Sequence, residues 1–166
     1  MINRTKNSVP KTFDEVLSQN PTLCCCTDAS WISPDSKAGI GWTLHDSHGN
    51  CTLKGSSSIA PTATILEAEA IALKEAILQM KRLNYKNVTF CGDSQILYKY
   101  LRAVSEERVT PQPSYSDIQW HLEDILTLAE ESYRFTYIAR SANLLADTLA
   151  KNARLRESPY VVSWLS

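Results

Sequence analysis

Residues Val88 to Ser94, reading Val-Thr-Phe-Cys-Gly-Asp-Ser, constrain the fold more than any other stretch of the chain. Val88, Thr89 and Phe90 favour extended backbone, because β-branched and aromatic side chains pack well on a pleated surface. Gly92 permits a tight turn or a close backbone approach, and Ser94 suits the cap of a helix beginning at Gln95. The segment before it, Thr64 to about Leu83, has helical periodicity. A strand entered from one helix and left into another runs parallel to an earlier strand, since such crossovers return the chain to the sheet in the same direction. An α/β architecture follows. It puts Asp93 at the carboxyl end of a strand, where open α/β sheets place their ligand chemistry. Taken alone, an Asp there has an ordinary explanation, because it favours the positive end of a helix.

The earlier strand is Leu23-Cys24-Cys25-Cys26-Thr27, a continuous apolar run of the kind buried on both faces, and it ends in Asp28. Ala38 to Leu44 is the second strand, whose Gly39 and Gly41 point to a close backbone approach or a bulge. A turn through His45 to Asn50, with Gly49 at a position needing positive φ, leads to the third strand, Cys51 to Ile59. These three form an antiparallel meander. Thr64-Ile65-Leu66-Glu67 is a capping box, and Leu66, Ala70, Leu73, Ile77 and Met80 recur on one helical face. After the fourth strand come helices from Gln95 to about Val104 and from Tyr115 to about Glu131, separated by the loop Glu106 to Ser114. A fifth strand spans Tyr133 to Ala139. A last helix, Leu144 to about Arg154, is capped by Ser141 or Asn143. The order βββαβααβα implies one mixed sheet with helices on both faces. The division is a polar leader over residues 1–21, one domain over 22–154, and a tail over 155–166 whose Val161, Val162 and Trp164 fit no element.

Net charge is −1, from 17 basic and 18 acidic residues, so the basic footprint of strong non-specific nucleic-acid binding is missing. An enzyme whose own site is acidic, and whose bound metal restores positive charge, stays compatible with that balance. The five cysteines are odd in number and include no C-x-x-C pair. Strand alternation sends Cys24 and Cys26 to one face and Cys25 to the other. Small buried apolar residues in a reducing compartment is the favoured reading, ahead of a zinc site or a disulfide framework. Met1 to Asn20 lacks the apolar core of a signal peptide, and no apolar run has membrane-spanning length. The expectation is an intracellular monomer without membrane contact, its compartment among cytoplasm, nucleus and organelle left open.

Four acids come from four separate elements: Asp28 and Asp93 from strand ends, Glu69 from the first turns of the long helix, Asp147 from the first turn of the last. If the first and fourth strands are neighbours, Asp28 and Asp93 share one crevice, and the two helix starts can bring Glu69 and Asp147 to its rim. Converging carboxylates repel and raise one another's pKa, and a hard divalent cation such as Mg²⁺ or Mn²⁺ relieves that, since oxygen-only donors select it over zinc. Each acid also has an ordinary structural role, and the sequence permits convergence without showing it. Glu67 belongs to the capping box and lies on a different helix face from Glu69, so Glu69 is assigned to the metal.

Thr27-Asp28-Ala29-Ser30, Gly39-x-Gly41, Ala68-Glu69-Ala70, Asp93-Ser94 and Asn143-Leu144-Leu145-Ala146-Asp147-Thr148-Leu149-Ala150 occur in this order. The set resembles the type 1 ribonuclease H family, more closely its plant reverse-transcriptase-like branch, related to retroelement domains. The resemblance spans about Leu23 to Arg154. It implies a ribonuclease H-like α/β fold with a five-stranded mixed sheet of order 3-2-1-4-5. It also implies two-metal hydrolysis of the RNA strand of RNA/DNA hybrids, with two Mg²⁺ ions or Mn²⁺ as substitute, and Asp28, Glu69, Asp93 and Asp147 as metal-binding catalytic acids. Where many members carry a His before the last helix, this chain has Arg140, which resembles the plant branch and suits a phosphate. The segment that often grips hybrid before the helix Glu is here Ile65-Leu66-Glu67. Thr62, Thr64 and Ser94, near helix starts, are further candidates for substrate phosphate. The alternative function is a catalytically weak or inactive module of the same fold that binds nucleic acid or a protein partner.

Overall fold

The structure is a computed structural model and describes residues 23–107 and 118–165. Its strands are β1 (Leu23–Ser30), β2 (Ala38–His45), β3 (Cys51–Ile59), β4 (Val88–Gly92), β5 (Arg134–Tyr137) and β6 (Val161–Trp164). Its helices are α1 (Ile65–Arg82), α2 (Gln95–Glu107), α3 (Gln119–Leu128) and α4 (Leu144–Arg156), with a 3-10 turn at Arg140–Ala142 before α4. The expected leader, the connection after α2 and the Tyr115 start of the third helix lie outside the described residues.

The sheet has six strands in the order β5-β4-β1-β2-β3-β6, not the expected five. The meander β1-β2-β3 is antiparallel, while β4 joins β1 and β5 joins β4 in parallel. The sixth strand comes from the tail: Val161–Trp164 pairs antiparallel with β3, Leu53 facing Trp164. Four residues at a sheet edge, partly exposed on both sides, carry too little alternation to be read as a strand beforehand.

Strand alternation divides the core. Cys25, Trp42, Leu44, Phe90 and Phe135 face the layer formed by α1, α2 and α3, with Leu73, Ile77, Leu97, Tyr98, Leu122 and Ile125 opposite them. Cys24, Cys26 and Cys91 face the other side, toward Ala146 of α4. Here Gly39 and Gly41 act by close approach. A Cβ at Gly39 would stand 2.0 Å from the carbonyl oxygen of Ala150, and one at Gly41 would stand 2.7 Å from that of Ala146. Two glycines against a stripe of buried alanines (Ala146, Ala150, Ala153) therefore seat α4 directly on β2. The bulge lies elsewhere, between Leu44 and His45.

The capping box forms, with Glu67 N–H donating to Thr64 Oγ1 at 3.1 Å. The Glu67 carboxylate returns to the amide of Ala63 at 3.4 Å, one residue before the cap. Gly49 has φ 84°, as the turn requires. Gly92 does not turn; it ends β4, and the ring of Tyr98 occupies the space a Cβ would need. Trp42 is a core residue with its indole N–H donating to Tyr160 Oη at 3.2 Å, and Trp31 donates to the carbonyl of Thr62. His121 is buried, with Lys74 Nζ 3.2 Å from its Nδ1 and the Glu67 carboxylate 3.7 Å from its Nε2. The packing of α3 on α1 hides it, a tertiary contact that helical spacing does not reveal.

Candidate functional site

The parallel ladder between β1 and β4 ends where Cys26 faces Cys91. Beyond that pair β1 continues to Ser30, paired only with β2, whereas β4 stops at Gly92. Asp28 and Asp93 each lie two residues past the Cys26/Cys91 pair, so alternation aims both to the same face just beyond the ladder's end. Asp28 thus sits inside β1 and not at its last residue, because its β2 partner, Gly41, continues the strand. Glu69 arrives from the second turn of α1 and is buried. One carboxylate oxygen from each of Asp28, Glu69 and Asp93 lies within 4.8 Å of the others. Asp147, in the first turn of α4, lines the same open cleft of about 240 Å³ at its rim.

The electrostatics follow from this crowding. Burial, then the charge of Asp93 and a hydrogen bond with Asp147, push Asp28 up to about 8. Burial holds Glu69 well above the ordinary carboxylate range, and the charges of Asp28 and Asp93 add to it. Asp93 is also raised by burial, with the Arg140 guanidinium opposing the rise from 3.6 Å. Glu69 Oε2 is buried and has no hydrogen-bond partner. A buried carboxylate oxygen without a donor is costly. An oxygen-only donor set with an orphaned oxygen and few nearby cations fits a hard divalent ion. Asp28, Glu69 and Asp93 would hold it, with Asp147 at the rim.

The other expected site residues are placed unevenly. Arg140 lines the cleft and is largely exposed. Thr62 and Thr64 do not line it. Thr62 is buried and its hydroxyl donates to the carbonyl of Thr64 at 2.9 Å, while Thr64 Oγ1 is occupied as the cap of α1. Ser94 follows Asp93, is partly exposed, and accepts the amide of Tyr98 at its carbonyl. Asn143 stands before α4, but its side chain makes no cap bond. Its Nδ2 instead donates to the carbonyl of Thr27 at 2.8 Å, tying the start of α4 to β1 beside Asp28.

Lys151 was not foreseen. It lines the cleft with its Nζ 3.0 Å from Asp147 Oδ2, one helical turn on. The i, i+4 spacing was the available signal.

The reverse transcriptase-like family model matches residues 26–153. No protein of curated function matches the chain in sequence. Among solved structures, the chain is similar to ribonuclease H1 of the halophilic archaeon Halobacterium salinarum NRC-1. Identity is 21%, the TM-score is 0.67, and 82% of this chain and 99% of that one are covered. It is also similar to LC11 ribonuclease H1, isolated from compost and solved in complex with an RNA/DNA hybrid (22% identity, TM-score 0.66, 81% and 98% covered). A third is the foamy viral protease–reverse transcriptase in complex with double-stranded DNA (19% identity, TM-score 0.60, 81% and 95% covered). At such identities the likeness is one of fold.

Proposed function

The chain belongs to the reverse transcriptase-like family, and from that premise we propose that it is a divalent-metal-dependent endoribonuclease hydrolysing the RNA strand of RNA/DNA hybrids. The observation that carries the reading is the convergence of Asp28, Glu69 and Asp93 from three elements to within 4.8 Å, at a cleft that Asp147 also lines. The solved ribonuclease H1 with its hybrid gives the fold a precedent for this substrate class.

Asp28, Glu69, Asp93 and Asp147 would hold Mg²⁺, two ions in the full reaction, with Mn²⁺ as substitute. Bound at these oxygens, the ions supply an activated water and charge stabilisation at the leaving oxygen of a phosphodiester. The chain's own residues do the rest. The rigid ends of β1 and β4 fix Asp28 and Asp93, and burial keeps Glu69 from swinging into solvent. Arg140 releases Asp93 and holds a substrate phosphate. Lys151 offsets the charge of Asp147 until the cleft is loaded. No protein side chain needs to act as nucleophile.

A second reading is a weak or inactive module of the same fold. The Arg140–Asp93 pair favours it, since it partly neutralises the acids, and so does the engagement of the Thr62 hydroxyl by its loop and of the Thr64 hydroxyl by the first turn of α1. Cleavage of a labelled RNA/DNA hybrid in Mg²⁺ or Mn²⁺ decides between them, beside duplex DNA, duplex RNA and the Asp93→Asn variant. Hybrid-only cleavage that the variant loses supports the enzyme. A folded protein that binds hybrid and leaves it intact in both ions overturns it in favour of the module.

A further inference from the structure

A cysteine lies two residues before each strand-borne acid, Cys26 before Asp28 and Cys91 before Asp93, and these two face each other across the β1/β4 ladder. Cys24 joins them from the same face of β1. One sulfur from each of the three lies within 4.8 Å of the others, with Cys24 Sγ and Cys91 Sγ 3.0 Å apart. All three are buried, at 1%, 2% and 0% exposure. Cys25 faces the opposite layer, and Cys51 is partly exposed and outside the group.

A buried cysteine ordinarily serves as a small apolar residue. Three sulfurs from two strands meeting at one point go further. Sulfurs bound to one zinc ion at about 2.3 Å stand roughly 3.8 Å apart, so a group of this span needs only small side-chain adjustment to close on such an ion. The shell is apolar, formed by Ile138, Ala142 and Ala146. On that side the shell offers no oxygen and leaves sulfur as the donor, which suits a soft cation better than a hard one. His45 faces Cys24 across the β1/β2 ladder, with its Nε2 2.9 Å from Thr43 Oγ1 and its Nδ1 3.4 Å from the carbonyl oxygen of Gly49. Beside Cys26 is a cavity of about 50 Å³ lined by Thr43, His45 and Asn143. That is room enough for water.

We propose that Cys24, Cys26 and Cys91 bind one thiophilic d¹⁰ cation, Zn²⁺, in a second metal site directly beneath the acidic cluster. A water from the cavity completes the tetrahedron, and each thiol that binds gives its proton to solvent. The site uses none of the residues assigned to the hybrid cleft and stands whether or not the chain cleaves RNA. Its effect is mechanical: it cross-links β1 to β4 two residues below Asp28 and Asp93 and fixes the separation of the acids.

Cadmium is the probe. The full chain, reduced with a phosphine and stripped with chelator, is titrated with Cd²⁺ under excess Mg²⁺, so that only sulfur competes. The expected result is a thiolate-to-cadmium charge-transfer band saturating at one ion per chain and reversed by Zn²⁺. Cys24→Ser, Cys26→Ser and Cys91→Ser each lose it, and Cys51→Ser keeps it. The cadmium NMR shift of the unaltered protein counts the bound sulfurs without any variant, so a cysteine replacement that fails to fold does not stop the test. A shift in the three-thiolate range supports the site. No band, a shift typical of fewer sulfurs, or loss of the band in Cys51→Ser overturns it.

Discussion

Replacing Asp28 by Asn should stabilise the metal-free protein at neutral pH while abolishing the proposed hybrid cleavage. Asp28 is raised from the ordinary 3.8 to about 8, so the folded state holds a proton that the unfolded state releases. Stability from this group is therefore complete below about pH 4 and is lost as pH rises through about 8. A shift of about four units at roughly 1.4 kcal/mol each sets a ceiling of about 6 kcal/mol above pH 8. Water reaches Asp28 from the open cleft and the carboxylates can turn apart, which lowers the realised gain to about 1–3 kcal/mol. Asparagine cannot ionise and keeps the shape of the protonated side chain. For a chain of this size the gain is a rise in Tm of about 3–9 °C. The assay is thermal unfolding in chelator from pH 5 to pH 9. Wild type should lose Tm with rising pH and regain it on adding Mg²⁺, whereas Asp28→Asn should have a flatter pH profile and little Mg²⁺ response. A variant less stable than wild type at pH 8, with an unchanged pH slope, would refute the reasoning, because repulsion at Asp28 would then not be a cost of folding.

Other perturbations have equally definite outcomes. Gly39→Ala drives a Cβ into the backbone of α4, and should cost about 3 kcal/mol, the upper end for overpacking, in urea unfolding; a loss under about 0.5 kcal/mol would mean that α4 does not sit on β2 as described. Burial and Lys74 hold the His121 imidazole below its usual range. Its contribution is therefore present above the unfolded pKa and lost as pH falls below it. The stability difference between wild type and His121→Gln should shrink from pH 7.5 to pH 5.5 (roughly one unit either side of the usual pKa), and a difference independent of pH would contradict the assignment. Arg140→Ala should change stability by less than about 1 kcal/mol, since the pair with Asp93 is largely exposed on the arginine side. If Arg140 holds phosphate, KM for hybrid should rise several-fold with kcat nearly unchanged; an unaltered KM removes it from the substrate site.

The parts of this molecule that could be read from its sequence are those in which one local pattern has one physical solution. A wholly apolar Leu23–Thr27 must be a central strand, Thr64-x-x-Glu67 must open a helix, and a strand between two helices must run parallel to an earlier one. With β1 and β4 adjacent, the period of two brings Asp28 and Asp93 to one face, so half of the acidic cluster follows from topology. What escaped reading depended on how distant elements meet. His121 is hidden by α3 packing on α1, β6 gains its identity only from the free edge of β3, and the side chain of Asn143 serves β1 instead of its own helix. The threonines illustrate the same division from the other side. Thr62 and Thr64 have the right chemistry for phosphate and lie near a helix start, yet the loop takes the Thr62 hydroxyl and the first turn of α1 takes that of Thr64, because a local partner is always within reach and a substrate is not. Glu69 shows the converse. Nothing local satisfies its Oε2, and nothing in its helix explains burying it there. A polar atom that folding leaves unpaired, at a point where three elements converge, is the mark of a group whose partner arrives from outside the chain.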